Sequence, residues 1–136
     1  MPAPSTLDTA GLHTLVPLAA TLGLRVASAA PETVRIELDH RPELCTAGGV
    51  LHGGALMALA DTAGAVCAFL NLPDGATTTT VESKTNLLAG VRRGVVAATA
   101  TPLHVGSTLI VVETELRRDD GRLAAKTTQT QAVLRG

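Results

Sequence analysis

The chain has 136 residues, 46% of them hydrophobic, with one Phe and neither Trp nor Tyr; this is single-domain size, and the core must be aliphatic. A formal charge of -1 gives no positive field for a polyanion, and one aromatic ring gives bases no stacking platform, so nucleic-acid binding is excluded. Cys45 and Cys67 fall in no metal-ligand spacing and form no disulfide framework, which predicts reduced thiols, no metal or other cofactor, and a cytoplasmic setting.

Met1 to Ala10 has no positive charge ahead of an apolar run, so no secretory signal is expected. Leu12, Leu15, Val16, Ala19 and Leu22 recur at helical spacing over 7–22, with Pro17 kinking or splitting the helix. One domain is expected over 1–136, with 1–23 its N-terminal helical segment. Two strands follow, 24–30 and 33–39, divided at Pro31; Val34, Ile36 and Leu38 alternate with Arg35, Glu37 and Asp39, as in a half-buried strand. After a loop over 40–51, residues 53–70 are apolar on every face except for Asp61. Such a helix belongs in an interior. Its Gly and Ala content, and a mid-span carboxylate costing roughly 2.5–3.5 kcal/mol on insertion scales, argue against a membrane span. Strands are expected over 77–88, 95–103, 107–117 and 123–134, the last two joined by a hairpin at Asp119-Asp120-Gly121-Arg122, and together they read as a four-strand antiparallel meander. The fold class is α+β: an antiparallel sheet wrapped around a long central helix, with another copy of the chain sealing the open side.

The stretch from Gly48 to Gly54 leads directly into that helix. No Ser, Thr, Asp or Asn stands at the cap, so only His52 can supply a capping side chain. Gly53 and Gly54 have no Cβ, which leaves the first amides open to a ligand at the positive helix end. Either they form an oxyanion site or water satisfies them in a tight turn. Asp61 is the sole side chain charged at neutral pH between His52 and Asp74; an acid there is either paired structurally or used in chemistry. Gly53 and Asp61 are separated by about 12 Å along one helix, too far to touch one thioester. If both act, they come from antiparallel helices of two subunits, and a monomer is inactive.

His52-Gly53-Gly54 followed by Leu59-Ala60-Asp61 resembles the signature of hot-dog fold thioesterases, in the phenylacetate-degradation (PaaI-like) and 4-hydroxybenzoyl-CoA branches. The similarity continues through Pro102-Leu103-His104-Val105-Gly106-Ser107 and Asp120-Gly121-Arg122-Leu123. It implies hydrolysis of an acyl-CoA, of aryl or phenylacetyl type among others, by a homodimer or homotetramer without nucleic-acid or membrane partners. Gly53 would polarise the carbonyl, Asp61 would serve as base or nucleophile, and His52 would order the loop as a cap or act directly. Thr46 stands where the family has Asn or Gln, and Ala65 where aryl-CoA relatives carry Ser or Thr. Gly54, Thr62, Ala65 and Ser83 would line the substrate, with Asn86 on the flanking strand and Gly64 and Ala68 enlarging an apolar acyl pocket. The resemblance places Ser107 and Thr108 near the CoA nucleotide, and Arg92 and Arg93 within reach of its phosphates; an arginine pair in a turn also fits plain solvated surface. Other readings are a non-catalytic acyl-CoA binding or sensing protein, a hot-dog dehydratase, and a structural oligomer. The dehydratase lacks its His–acid pair here, and the other two leave Asp61 without a task.

Overall fold

The computed structural model describes residues 5–136; residues 1–4, the head of the stretch read for a signal sequence, lie outside the described residues. The N-terminal helical segment is split as Pro17 requires, into α1 (Thr9–Leu15) and α2 (Pro17–Leu22). Proline takes the first position of α2, where its missing N–H costs nothing. The Asp8 carboxylate caps α1 by accepting from the Gly11 amide at 2.8 Å, and Gly23 ends α2 with φ 71°, a left-handed conformation that glycine adopts without strain.

Strands β1 (Arg25–Ala30) and β2 (Thr33–Asp39) precede the long helix α3 (Gly53–Leu70), and β3 (Ala76–Leu87), β4 (Val95–Val105), β5 (Leu109–Arg117) and β6 (Leu123–Arg135) follow it. All six strands form one antiparallel sheet in the order β1-β2-β4-β5-β6-β3. The meander expectation is corrected here. Of the four strands after α3, only β4, β5 and β6 run as neighbours in chain order; β3 leaves β4 and pairs with β6 at the far edge. The residues between β3 and β4 explain why. The Leu88 and Ala89 amides both donate to Ala124 O, at 2.8 and 3.1 Å, and Val91 O accepts from the Leu51 amide at 2.9 Å. These bonds draw the chain across the end of the sheet instead of back along β3.

Helix α3 is long and apolar enough to cross a membrane by length and composition, but the sheet curls around it and half of it is buried. Leu56, Leu59, Ala60, Ala63 and Val66 meet Ile36, Leu38, Val96, Ile110, Val112 and Leu116 in one core cluster. Each fully buried Leu, Ile or Val contributes about 1.5–3 kcal/mol, and the alanines let helix and sheet approach closely. At the far end, Asn71 Nδ2 donates to Pro31 O and Cys67 O, both at 2.8 Å, tying the helix to the β1–β2 turn. The core fixes the helix rotation. What remains uncovered is a stripe through Gly54, Ala58, Asp61, Ala65 and Phe69, and the chemistry-bearing residues lie on that stripe.

Candidate active site

At the start of α3 the backbone is extended at His52 (φ -60°, ψ 136°), and the imidazole Nδ1 accepts from the Gly54 amide at 2.7 Å. The histidine is therefore a helix cap. Ala55 and Leu56 donate to His52 O at 2.9 and 3.2 Å. Among the described residues no acceptor takes the Gly53 N–H. One amide is left free at the positive end of an 18-residue helix, where an oxyanion is stabilised. A Cβ on Gly53 would stand 2.6 Å from Leu87 Cδ1, so glycine keeps this amide close to the end of β3.

Asp61 lies two turns further on and is half-buried. Its Oδ1 accepts from Gln129 Nε2 on β6 at 3.0 Å and lies 2.8 Å from Thr80 Oγ1 on β3, whose single proton is shared between Asp61 and Gln131 Oε1 at 2.6 Å. The second proton of the Gln129 amide goes to Gln131 Oε1 at 2.8 Å, and Gln131 Nε2 donates to Thr78 Oγ1 at 3.1 Å. Both glutamines are 0% exposed. A buried amide holding a carboxylate oxygen is a charge-assisted bond in a low dielectric, where it is strongest. Oδ2 has no bond to a described residue, and Asp61 borders an apolar groove of about 320 Å³ between α1 and α3. One oxygen is anchored. The other is presented.

Gly64 does not enlarge that groove, contrary to expectation. A Cβ there would stand 2.0 Å from Gln129 Oε1, so its bare backbone makes room for the glutamine that holds Asp61. Ala68 is fully buried in the core and does not line the groove either. Thr62 and Ala65 do line the groove, though Thr62 Oγ1 already donates to Ala58 O at 2.7 Å.

The thioesterase superfamily model matches residues 48–125, more than half the chain, and spans the free amide and the acid. The chain belongs to the thioesterase superfamily. It is a thioester hydrolase of hot-dog fold. A provisionally named esterase of Saccharolobus solfataricus is 37% identical to this thioesterase over 100 residues, covering 74% of this chain and 71% of its own. The 1,4-dihydroxy-2-naphthoyl-CoA hydrolase of Escherichia coli is 34% identical over 86 residues, 63% of each chain. A crystal structure of a thioesterase from Haemophilus influenzae matches with TM-score 0.89 at 27% identity, covering 99% of this chain and 96% of its own.

The remaining residues singled out in the thioesterase sequence are more dispersed. Thr46 is exposed on the loop before α3; its amide donates to Val50 O at 2.8 Å, and its hydroxyl makes no recorded bond to a described residue. Gly54 and His52 border a second shallow hollow beneath α2. Ser83 and Asn86 are exposed on β3, with Ser83 opposite Gln129 in register. Arg92 and Arg93 share a surface hollow with Arg118, Asp119 and Asp120. Arg118 is committed within that hollow: it bonds Asp120 and donates to Gly90 O at 3.0 Å. Its guanidinium, with the Arg122 amide, holds the Asp120 carboxyl down at about 2. Ser107 and Thr108 lie in the β4–β5 turn, where their carbonyls accept from Arg135 and Val133. Within one chain, the ten residue steps of β4 put these two sets about 34 Å apart. Sequence reasoning missed Thr80, Gln129 and Gln131, which complete the site.

Proposed function

We propose that this thioesterase hydrolyses an acyl-CoA at a site shared by two copies of the chain, Asp61 from one and the Gly53 amide from the other. The observation that carries the reading is the pairing of an unclaimed amide with a half-anchored acid that cannot meet on their own helix. The edge of the sheet supports a second copy there. β3 is a 12-residue strand with one side unpaired, and Val81 is 56% exposed on it; a long free edge is a template for another strand. Within each chain Gly53 packs on Leu87 and Asp61 bonds Thr80. For Gly53 of a second copy to face Asp61, its Leu87 comes alongside residues 78–80. An antiparallel β3–β3 pair with its two-fold axis beside Glu82 and Ser83 achieves this, and sets the two α3 helices antiparallel on the same face.

At such a site the thioester carbonyl oxygen accepts from the Gly53 amide, and Asp61 Oδ2 faces the carbonyl carbon. As a base, Asp61 takes a proton from water; the hydroxide adds to the carbonyl and the oxyanion rests on the amide. Collapse expels the CoA thiolate, which is then protonated, leaving the free acid. As a nucleophile, Asp61 adds directly, and water cleaves the resulting anhydride. Repeated turnover in labelled water separates the two, because only the anhydride route carries label into Asp61. Arg92 and Arg93 with Ser107 and Thr108 contribute to one CoA only across the subunit boundary, as their separation requires. Exposed Leu109 and Leu134 on the outer face of the sheet support pairing of two dimers into a tetramer, and free Cys45 and Cys67 support a cytoplasmic setting.

Release of free thiol from a panel of acyl-CoAs tests this function. Asp61→Ala and Asp61→Asn are expected to lose about 10²-fold or more in kcat. Gly53→Pro removes the N–H at the first helical position, whose backbone and extended His52 suit proline, while its Cβ displaces the exposed Leu87 side chain; a loss of about 10²–10³-fold is expected. Neither single variant is active, yet mixing Asp61→Ala with Gly53→Pro chains rebuilds one intact site per mixed dimer. Full activity in both Asp61 variants would overturn the assignment, and acyl-CoA binding without turnover in the wild type would make the chain a binding protein.

A further inference from the structure

The groove beside Asp61 has a composition that narrows the acyl group. Its walls are Leu12, Leu15 and Val16 on the α1 side and Ala65, Val66 and Phe69 on α3. Residues 61, 62, 65, 66 and 69 share one helical face, so the groove follows α3 for about 12 Å from the acid to the single aromatic ring. The hydroxyl protons on its walls are already committed. Thr62 Oγ1 donates to Ala58 O at 2.7 Å. Thr78 Oγ1 donates to Ala132 O at 2.8 Å and accepts from Gln131. Asp61 Oδ1 is held by Thr80 and Gln129, which leaves only Oδ2, the reacting oxygen. The Thr80, Gln129 and Gln131 side chains are turned toward the acid and one another, away from the groove wall.

Building on the thioesterase site proposed above, we infer that this groove holds the acyl portion of the thioester and selects acyl groups that carry no hydrogen-bonding substituent. The remaining acceptors, Thr62 Oγ1 and Asp61 Oδ2, belong to adjacent residues at the acid end. A hydroxyl carried at the far end of the acyl group, toward Phe69, would therefore leave water and face apolar side chains, losing its hydrogen bonds on entry. A plain aliphatic or unsubstituted phenylalkyl group loses none and gains contact along α1 and α3. Substrate choice thus depends on what the walls lack. The N-terminal helices matter to specificity because α1 supplies one whole side of the groove.

Matched pairs of CoA compounds test the inference: hexanoyl- against 6-hydroxyhexanoyl-CoA, and phenylacetyl- against 4-hydroxyphenylacetyl-CoA. In each pair the unsubstituted compound is expected to have the higher kcat/KM, by about 10-fold or more, the range in which an apolar pocket disfavours an added hydroxyl. Phe69→Tyr places a hydroxyl at the far end of the groove, and Leu15→Asn places an amide at its rim. Leu15 is 57% exposed, so its replacement leaves the fold intact. Either variant is expected to shrink the discrimination, read as the ratio of kcat/KM within each matched pair. The same pairs made as non-cleavable thioethers read the groove by direct binding, independently of catalysis. Equal affinity within each thioether pair, or no binding of either member, overturns the groove assignment. Tight, discriminating thioether binding with no turnover of any acyl-CoA would instead defeat the hydrolase reading and leave the groove standing.

Discussion

A single missing methyl group at Gly64 decides how Asp61 is held. The Gln129 side chain fills the space that a Cβ would take, with Oε1 2.0 Å from its position, and from there its amide reaches the carboxylate. Gly64→Ala forces the buried amide to move, against backbone on one side and strand β6 on the other. A loss of about 1–3 kcal/mol is expected from overpacking, measured by urea denaturation, together with a fall in kcat larger than any change in KM. Gln129→Leu spares the helix and gives the same kcat loss. If kcat is unchanged while stability drops, the glutamine is structural only. Asp61 was legible in the sequence because one charge in an apolar helix stands out. Gln129 and Gln131 were not, since glutamine in a strand reads as solvent-facing. Their parity carried the signal: Lys126, Thr128 and Thr130 mark one face of β6, so Gln129 and Gln131 must point to the other.

Cys67 shows a second residue-level consequence. Burial pushes its thiol up to about 11 from an ordinary value of 9.0, so the folded chain disfavours the thiolate. The folded state binds this proton more tightly than the unfolded state. Its contribution to stability is therefore complete below pH 9 and is lost as pH rises from about 9 to about 11. In a Cys45→Ser background, a thiol reagent at pH 8 is expected to label the protein only after denaturation. Rapid labelling of the native chain would contradict the burial.

Among the elements, α3 was the most legible: an apolar run that starts at a glycine pair and stops at Asn71-Leu72-Pro73 leaves little freedom in its ends. Its cap was half legible. His52 was open between two roles, and the structure assigns it the Gly54 amide; His52→Ala is expected to cost about 1 kcal/mol, readable as a lower Tm. The placement of β3 was not legible, because strand pattern fixes which face is buried but not which neighbour is paired. The deciding bonds, from Leu88 and Ala89 to Ala124, join residues far apart in sequence. A free β3 edge predicts sensitivity at Val81. Val81→Lys puts a charge where a second strand would pair, a device that blocks edge association. Sedimentation should show a smaller particle, and thiol release should fall with it. An unchanged assembly with full activity would remove β3 from the interface.

For the whole molecule, the fold class, the aliphatic core and the wrapped helix followed from pattern and composition. The distribution of the site did not. One aromatic ring, no free cap residue and a lone acid already pointed to chemistry at α3, yet the acid's supports come from β3 and β6, the first and last strands after the helix. Ser107 and Arg92 stand at opposite ends of β4, which runs from Val95 to Val105, two residues beyond the expected 95–103. The shared site proposed above predicts that specific activity depends on protein concentration, falling on dilution below the dimer dissociation constant.

The 12 Å between the amide and the acid has a genetic counterpart. Under the proposed sharing of sites, a chain carrying both Asp61→Ala and Gly53→Pro would spoil each of the two pockets it helps to build, one by omission of the acid and the other by omission of the donor. Co-expressed with the normal chain, it would silence healthy copies as well as itself and behave as a dominant inhibitor, whereas either lesion alone would spare half of every mixed pair.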